Sequence, residues 1–431
     1  MRDLVLGVVL LWLIFKAIKH PWIGIMGWTW ISIMNPHAYS YRLSELPVAA
    51  AMAGSAMIGI LLTKDKINYF VSRESGVLML FMLWMCITLP FSFFFDRSFE
   101  LWTRVMKIDF MILVAMLVLY SKKHIMALAW TIVASIGFYG VKGGVFTFAT
   151  GGSYRVWGPE GSYIEGNNEI ALALIMVIPL IRFLQMQLPA TAKWASRALS
   201  MAMLLCAASA LGSQSRGALL AIAAMTLVLW WRGKRKLEMG LVFLVLGVML
   251  IIFMPDSWTE RMSTIKTYDQ DASAGGRINA WWMAFNLASH NFFGGGFMVS
   301  SGSLFALYAP DPNAVHAAHS IYFMVLGEHG FVGLFLFLLL WYFVWRSAGR
   351  LYRCSSSAAE DKWLSDLGAM CQVSLVGYFV GGAFLSLSYY DLPYNIMILV
   401  VLACRLMDGK VKELPSPLEL GADRARARNL T

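Results

Sequence analysis

Polar positions in this chain come in short bursts, and between them run stretches in which nearly every side chain is apolar. A helix crossing a bilayer needs about 20 apolar residues. Stretches of that order occur at residues 4–18, 21–35, 46–63, 76–95, 107–120, 125–147, 168–186, 198–212, 217–231, 237–254, 321–345, 364–386 and 393–406. Runs such as Leu237 to Met254 carry apolar residues on every face, unlike the alternating segments of a transmembrane β-barrel. The pattern therefore predicts an all-α fold, a polytopic transmembrane bundle of about 12 helices with a long periplasmic segment. Leu4 to Phe15 follows Arg2 with no small-residue cleavage site behind it, so it is expected to be a retained first helix.

The interruptions divide the chain. Residues 1–254 read as transmembrane helices with short loops and one polar loop near 148–167. Residues 255–318 are a long polar segment, 319–407 hold the C-terminal helices, and 408–431 form a charged, proline-containing tail expected to be a disordered cytoplasmic end. Lys64 and Lys66, Lys122 and Lys123, the basic run at 232–236, and Arg346, Arg350 and Arg353 fall in loops separated by even numbers of spans, which places them together on the cytoplasmic side. Loop 148–167 and segment 255–318 then lie on the other, periplasmic or extracellular, side. The first two segments are short, and their parity stays open. Within the long segment, Ile278 to Ala288 has apolar residues at helical spacing, as in a helix lying at a membrane surface.

Composition agrees. With 59% hydrophobic and 14% charged residues and a mean hydropathy of +0.64, lipid is the solvent for most of the chain. The net charge of +10 sits in interhelical loops and does not form a nucleic-acid footprint. Five cysteines are scattered without CxxC or metal-ligand spacing, so neither a disulfide framework nor a zinc site is expected.

Ionisable residues that collect on one side of a membrane protein are the first candidates for chemistry. On the periplasmic side these are Arg155, Arg216, Arg261, Arg277, His316 and His319. Arg216, in Ser213-Gln-Ser-Arg-Gly217, could point into a cavity at the membrane boundary or snorkel from a helix end. Arg277 follows Gly275-Gly276; a glycine pair lets backbone approach a ligand and a guanidinium matches phosphate oxygens, although Gly-Gly-Arg is also ordinary loop chemistry. His319 stands where a strong apolar segment emerges and could titrate near neutrality, as a general base requires; a structural histidine would suit the same place. His316 and His329 read as structural. Asp391, in Tyr389-Tyr-Asp-Leu-Pro393, could orient His319, contact a substrate or cap a helix. The glycines at 275, 276 and 294–296 would suit a lid over substrate.

Taken together, these segments resemble the O-antigen ligase family, with its polymerase and protein O-glycosylation relatives. The most specific element is His319-Ser320, nine residues, then Gly330-Phe-Val-Gly333. Ser215-Arg216-Gly217 and Gly276-Arg277 follow the family's order, and Arg155 with Asn168 to Ala171 resembles its loop-to-helix segment before the central spans. The opening through Met34-Asn-Pro-His37 resembles the exosortase-associated O-glycosylation ligases.

The resemblance implies a glycosyltransferase of the bacterial inner membrane with its active site facing the periplasm. Its donor would be an undecaprenyl-diphosphate-linked glycan, its acceptor lipid A-core, and its surroundings membrane lipids. Arg216 and Arg277 would bind the donor diphosphate, His319 would be the catalytic base, and Arg155, Asn168 and Asp391 would contact substrate. No metal or other cofactor is expected, since the guanidinium groups can stabilise the leaving diphosphate and the periplasmic segments offer no DxD-like pair. A polysaccharide polymerase and a protein O-glycosylation ligase differ from a ligase in acceptor only. A lipid-linked sugar transporter would need ionisable groups near the membrane midplane instead.

Overall fold

In the computed structural model, the structure describes residues 2–63, 72–233, 236–256, 258, 272–354 and 361–413. Arg261, Lys64, Lys66 and residues 414–431 lie outside them. The described residues are helical or irregular, with no strand. The helices are α1 (Arg2–Lys19), α2 (Pro21–Met34), α3 (Val48–Leu62), α4 (Arg73–Thr88), α5 (Phe95–Val118), α6 (Lys122–Ala149), α7 (Asn167–Met186), α8 (Lys193–Gly212), α9 (Arg216–Arg232), α10 (Lys236–Phe253), α11 (Ala272–His290), α12 (Gly302–Tyr308), α13 (Ile321–Tyr352), α14 (Lys362–Gly382) and α15 (Asp391–Glu413).

Seven of the described helices are long and apolar enough to cross a membrane: Arg73–Phe91, Lys122–Ala149, Asn167–Met186, Lys193–Gly212, Ile321–Tyr352, Lys362–Gly382 and Asp391–Gly409. The protein is a multi-pass membrane protein. This set covers part of the dozen spans expected; Val48–Leu62 is apolar but shorter.

Two boundaries differ from the hydropathy reading. The helix expected from residue 107 begins at Phe95, because its first half is amphipathic and carries Asp96, Arg97, Glu100, Arg104 and Lys107. The last helix continues through Glu413, so the charged tail starts as helix and not as coil.

Local chemistry explains many starts. Ser72 caps α4 in a reciprocal box with Ser75, Ser121 accepts from the His124 amide, and Ser215 accepts from the Ala218 amide at 3.2 Å. Pro21 occupies the first turn of α2, where no amide is needed. In the centre, α7 and the first half of α15 are almost wholly buried; α7 packs on α8 and α14, and α15 on α5, α6 and α13.

Gly330 breaks α13 with φ +67°, and a Cβ there would meet the Phe292 carbonyl oxygen. The backbone of 294–296 inserts at the break: the Gly295 amide bonds Gly327 O at 2.9 Å and the Gly296 amide bonds Glu328 O at 3.0 Å. These glycines are therefore pinned to α13 and do not form a hinge.

Candidate functional site

At one end of the bundle, two helix starts meet. α7 opens with Asn167-Asn168 and α9 with Arg216 behind its Ser215 cap. The chain reverses between α8 and α9 through Gln214, whose φ is +56°, and this turn is braced from the 150–166 loop. The Asn167 side chain donates to Ser213 O at 2.8 Å, Gln214 Nε2 donates to Gly152 O at 3.2 Å, and Arg155 Nε donates to Gln214 Oε1 at 3.4 Å. Arg155 thus supports the turn that presents Arg216.

Asn168, Ser215, Arg216, Gly217 and Arg277 line a cavity of about 120 Å³, closed on its apolar side by Phe384 and Leu385 from the turn after α14. Two guanidinium groups and two helix N-termini make this a favourable place for an anion, because the amides of a first turn and the positive end of the helix dipole act in the same sense.

Arg277 reaches the cavity from the first turns of α11. That helix turns Ala280, Met283, Ala284 and Leu287 inward, and Ala284 packs beside Gly327 of α13. It also clasps the loop that carries the histidines. Asn279 Nδ2 donates to Asp311 O at 2.8 Å and Ala314 O at 3.0 Å, while its Oδ1 accepts from the Asp311 amide at 2.9 Å. Trp281 Nε1 donates to Ala318 O at 2.7 Å, and its ring stacks on Phe323 with centroids 5.1 Å apart. Gly276 lies against His316 so closely that a Cβ would come within 2.3 Å of the imidazole. The glycine before Arg277 is thus required by a neighbouring side chain.

His319 has φ +40°, a left-handed conformation that costs energy in a residue with a Cβ, and it leads directly into Ser320, the cap position of α13. The geometry parallels Gln214-Ser215 before α9. His319 is half-buried, and burial first, then the nearby positive charge of Arg277 and the influence of His316, hold its pKa below the ordinary 6.5. A neutral imidazole at neutral pH can accept a proton.

Arg155, Asn168, Arg216, Arg277 and His319 therefore gather in one neighbourhood. Asp391 does not join them. It is buried at the start of α15, within reach of the Ser32 hydroxyl and in the field of Arg104, while the charges that act on His319 are Arg277 and His316. His329 is buried inside α13, its Nδ1 2.8 Å from Thr88 Oγ1. Among the described residues, no three His, Cys, Asp or Glu side chains come together as ligands for a metal ion.

The sequence reading missed Asn279 and Trp281 as the clasp, and the Phe384-Leu385 wall. The three-residue spacing of His316 and His319 was the available signal for the first histidine; nothing local marks the others.

Comparison with known families now bears on this geometry. Residues 201–338 match the family model described as O-antigen ligase. This segment is similar to the O-antigen ligase family. Residues 1–188 match a family of unknown function, DUF5935. No curated protein matches the chain. The matched segment contains Arg216, Arg277, His319, Gly330 and Gly333, so the match supports a ligase- or polymerase-type function at the level of the family. Arg155 and Asn168 come from the region of unknown function, and Phe384, Leu385 and Asp391 lie beyond the ligase-family match. The cavity is assembled from all three stretches.

Proposed function

We propose that this protein is an O-antigen ligase, an inverting, metal-independent glycosyltransferase that moves a glycan from undecaprenyl diphosphate to lipid A-core at the periplasmic face of the bacterial inner membrane. The observation that carries the reading is the cavity shared by Arg216 and Arg277, with His319 in the field of Arg277.

In this scheme the donor diphosphate sits against the two guanidinium groups and the first turns of α7 and α9. His319 takes the proton from an acceptor hydroxyl as that oxygen attacks the anomeric carbon. The new carbon–oxygen bond forms opposite the one that breaks, so configuration inverts. The electron pair of the broken bond leaves on undecaprenyl diphosphate, whose added charge Arg216 and Arg277 stabilise. Proton acceptor and charge stabiliser are separate groups, and no second carboxylate is required. Arg155 and Asn168 support the donor side.

The test is transfer of a lipid-diphosphate-linked glycan to lipid A-core by purified protein with excess chelator present. Wild type should transfer, and folded His319→Ala and Arg216→Ala proteins should not. Full activity in His319→Ala, or loss of wild-type transfer on chelation, would sink the mechanism.

A further inference from the structure

A second cavity, of about 620 Å³, opens against the first half of α5. Every residue lining it belongs to the region of unknown function at 1–188. We infer that it binds the uncharged, hydroxyl-rich sugar residues of the acceptor glycan; the assignment to the acceptor rests on the transfer reading above.

One wall is a face of α5. Asp96, Glu100, Arg104 and Lys107 follow one another at helical spacing, and all four line the cavity. On an isolated helix such a stripe would be a solvated face. Here it looks across at the end of α2, where Trp28, Asn35 and His37 form the opposite wall.

The Met34-Asn-Pro-His37 motif gains a reason from this arrangement. Asn35 caps α2 in the left-handed conformation, φ +53°, and Pro36 starts a short 3-10 turn, so Asn35 and His37 are presented on a fixed corner. Tyr163 closes the third side. Its ring lies 4.8 Å from the Arg104 guanidinium, whose Nη2 also donates to Gly161 O at 3.1 Å. Behind the wall, the buried Asp391 lies near Ser32, which lines the cavity.

Charge selects the ligand. Two carboxylates and two cations balance, so the cavity offers a diphosphate nothing comparable to the paired guanidinium groups next door. It offers instead what a polyol needs: planar carboxylate and amide groups that can hold neighbouring hydroxyls, and aromatic faces for the C–H side of a sugar ring. Just behind its surface, His37 Nδ1 and Tyr163 Oη are buried with no hydrogen-bond partner among the described residues. Burial holds the His37 pKa below its ordinary value, which favours the neutral ring.

The two cavities share a loop. Arg155, near its start, braces the turn before Arg216, and Ser162 and Tyr163, near its end, line the second cavity. A glycan seated on α5 would therefore lie beside the loop that supports the donor site.

The experiment is calorimetric titration of the full-length protein in nanodiscs with dephosphorylated, deacylated lipid A-core oligosaccharide, and separately with the undecaprenyl-diphosphate-linked donor. Two variants keep the net charge and fold: Glu100→Gln with Lys107→Gln, both exposed side chains, and Asn35→Gly, which preserves the left-handed cap. Each should weaken oligosaccharide binding about tenfold and leave donor affinity within about twofold. Arg216→Ala should do the reverse. Oligosaccharide binding unchanged in both variants, no saturable binding by wild type at millimolar sugar, or displacement of the sugar by a serine-containing peptide would each overturn the assignment. Undiminished donor binding by Arg216→Ala would instead overturn the transfer reading and leave the saccharide site standing on its own titration.

Discussion

The cavity of Arg216 is polar and has only cations among its charged lining residues, whereas the cavity beside α5 is lined largely by apolar surface and carries equal numbers of charges of each sign. The first takes its walls from helix starts, where backbone amides add to the positive charge. The second, about five times larger, takes them from the first half of the α5 face, the end of α2 and aromatic rings. On the proposed reading, this charge difference would give a diphosphate to the first and an uncharged glycan to the second.

This contrast can be broken or sharpened by substitution, beginning with the largest effect. His319→Ala should reduce the initial rate of transfer by roughly 10²- to 10⁴-fold, the usual worth of a general base, while donor affinity stays within about twofold. An equal loss of donor affinity would make His319 part of the anion site instead.

Arg277→Gln should weaken donor binding about 10- to 100-fold, since it removes a charge-assisted contact. It should also move the acid limb of the pH–rate profile. Arg277 lowers the pKa of His319, so removing its charge lets the imidazole protonate at higher pH, and activity should be lost sooner as pH falls toward 6.5. A profile that does not move would separate the two residues.

Asn279→Ala should reduce kcat about tenfold with donor affinity kept, because it frees the loop carrying His316 and His319 without touching the guanidinium groups. The smallest effect on the comparison is expected from Gly330→Ala. It forces a Cβ onto a positive-φ position against Phe292 O and should cost about 1–3 kcal/mol of stability, read as a lower unfolding midpoint in detergent, with the ratio of donor to acceptor affinity unchanged.

The site was legible where chemistry is written into short motifs. Ser215-Arg216-Gly217, Gly276-Arg277 and His319-Ser320 were all visible, because a charged residue beside an apolar run is conspicuous. The second cavity was not visible. Hydropathy stepped over the first half of α5, since an amphipathic helix averages to a loop, and with it went the stripe from Asp96 to Lys107. Asp391 shows the opposite error: a residue read in a short outer loop that could orient His319 became a buried helix start near Ser32. The motif showed Gly330 but not why it is glycine: its positive φ lets the 294–296 backbone insert at a break in α13.

By itself, the sequence determined that the chain lives in a membrane, that it is helical and which motifs carry charge, because burial in lipid and backbone hydrogen bonding act on each stretch independently of the others. Tertiary structure alone decided that Asn168, Arg216, Arg277 and Phe384 share one cavity and that Asp96, His37 and Tyr163 share another. Helices that are apolar on every face carry no periodic mark of which neighbours they will pack against, so the meeting of their ends is settled by small residues, caps and side-chain bonds between distant parts of the chain.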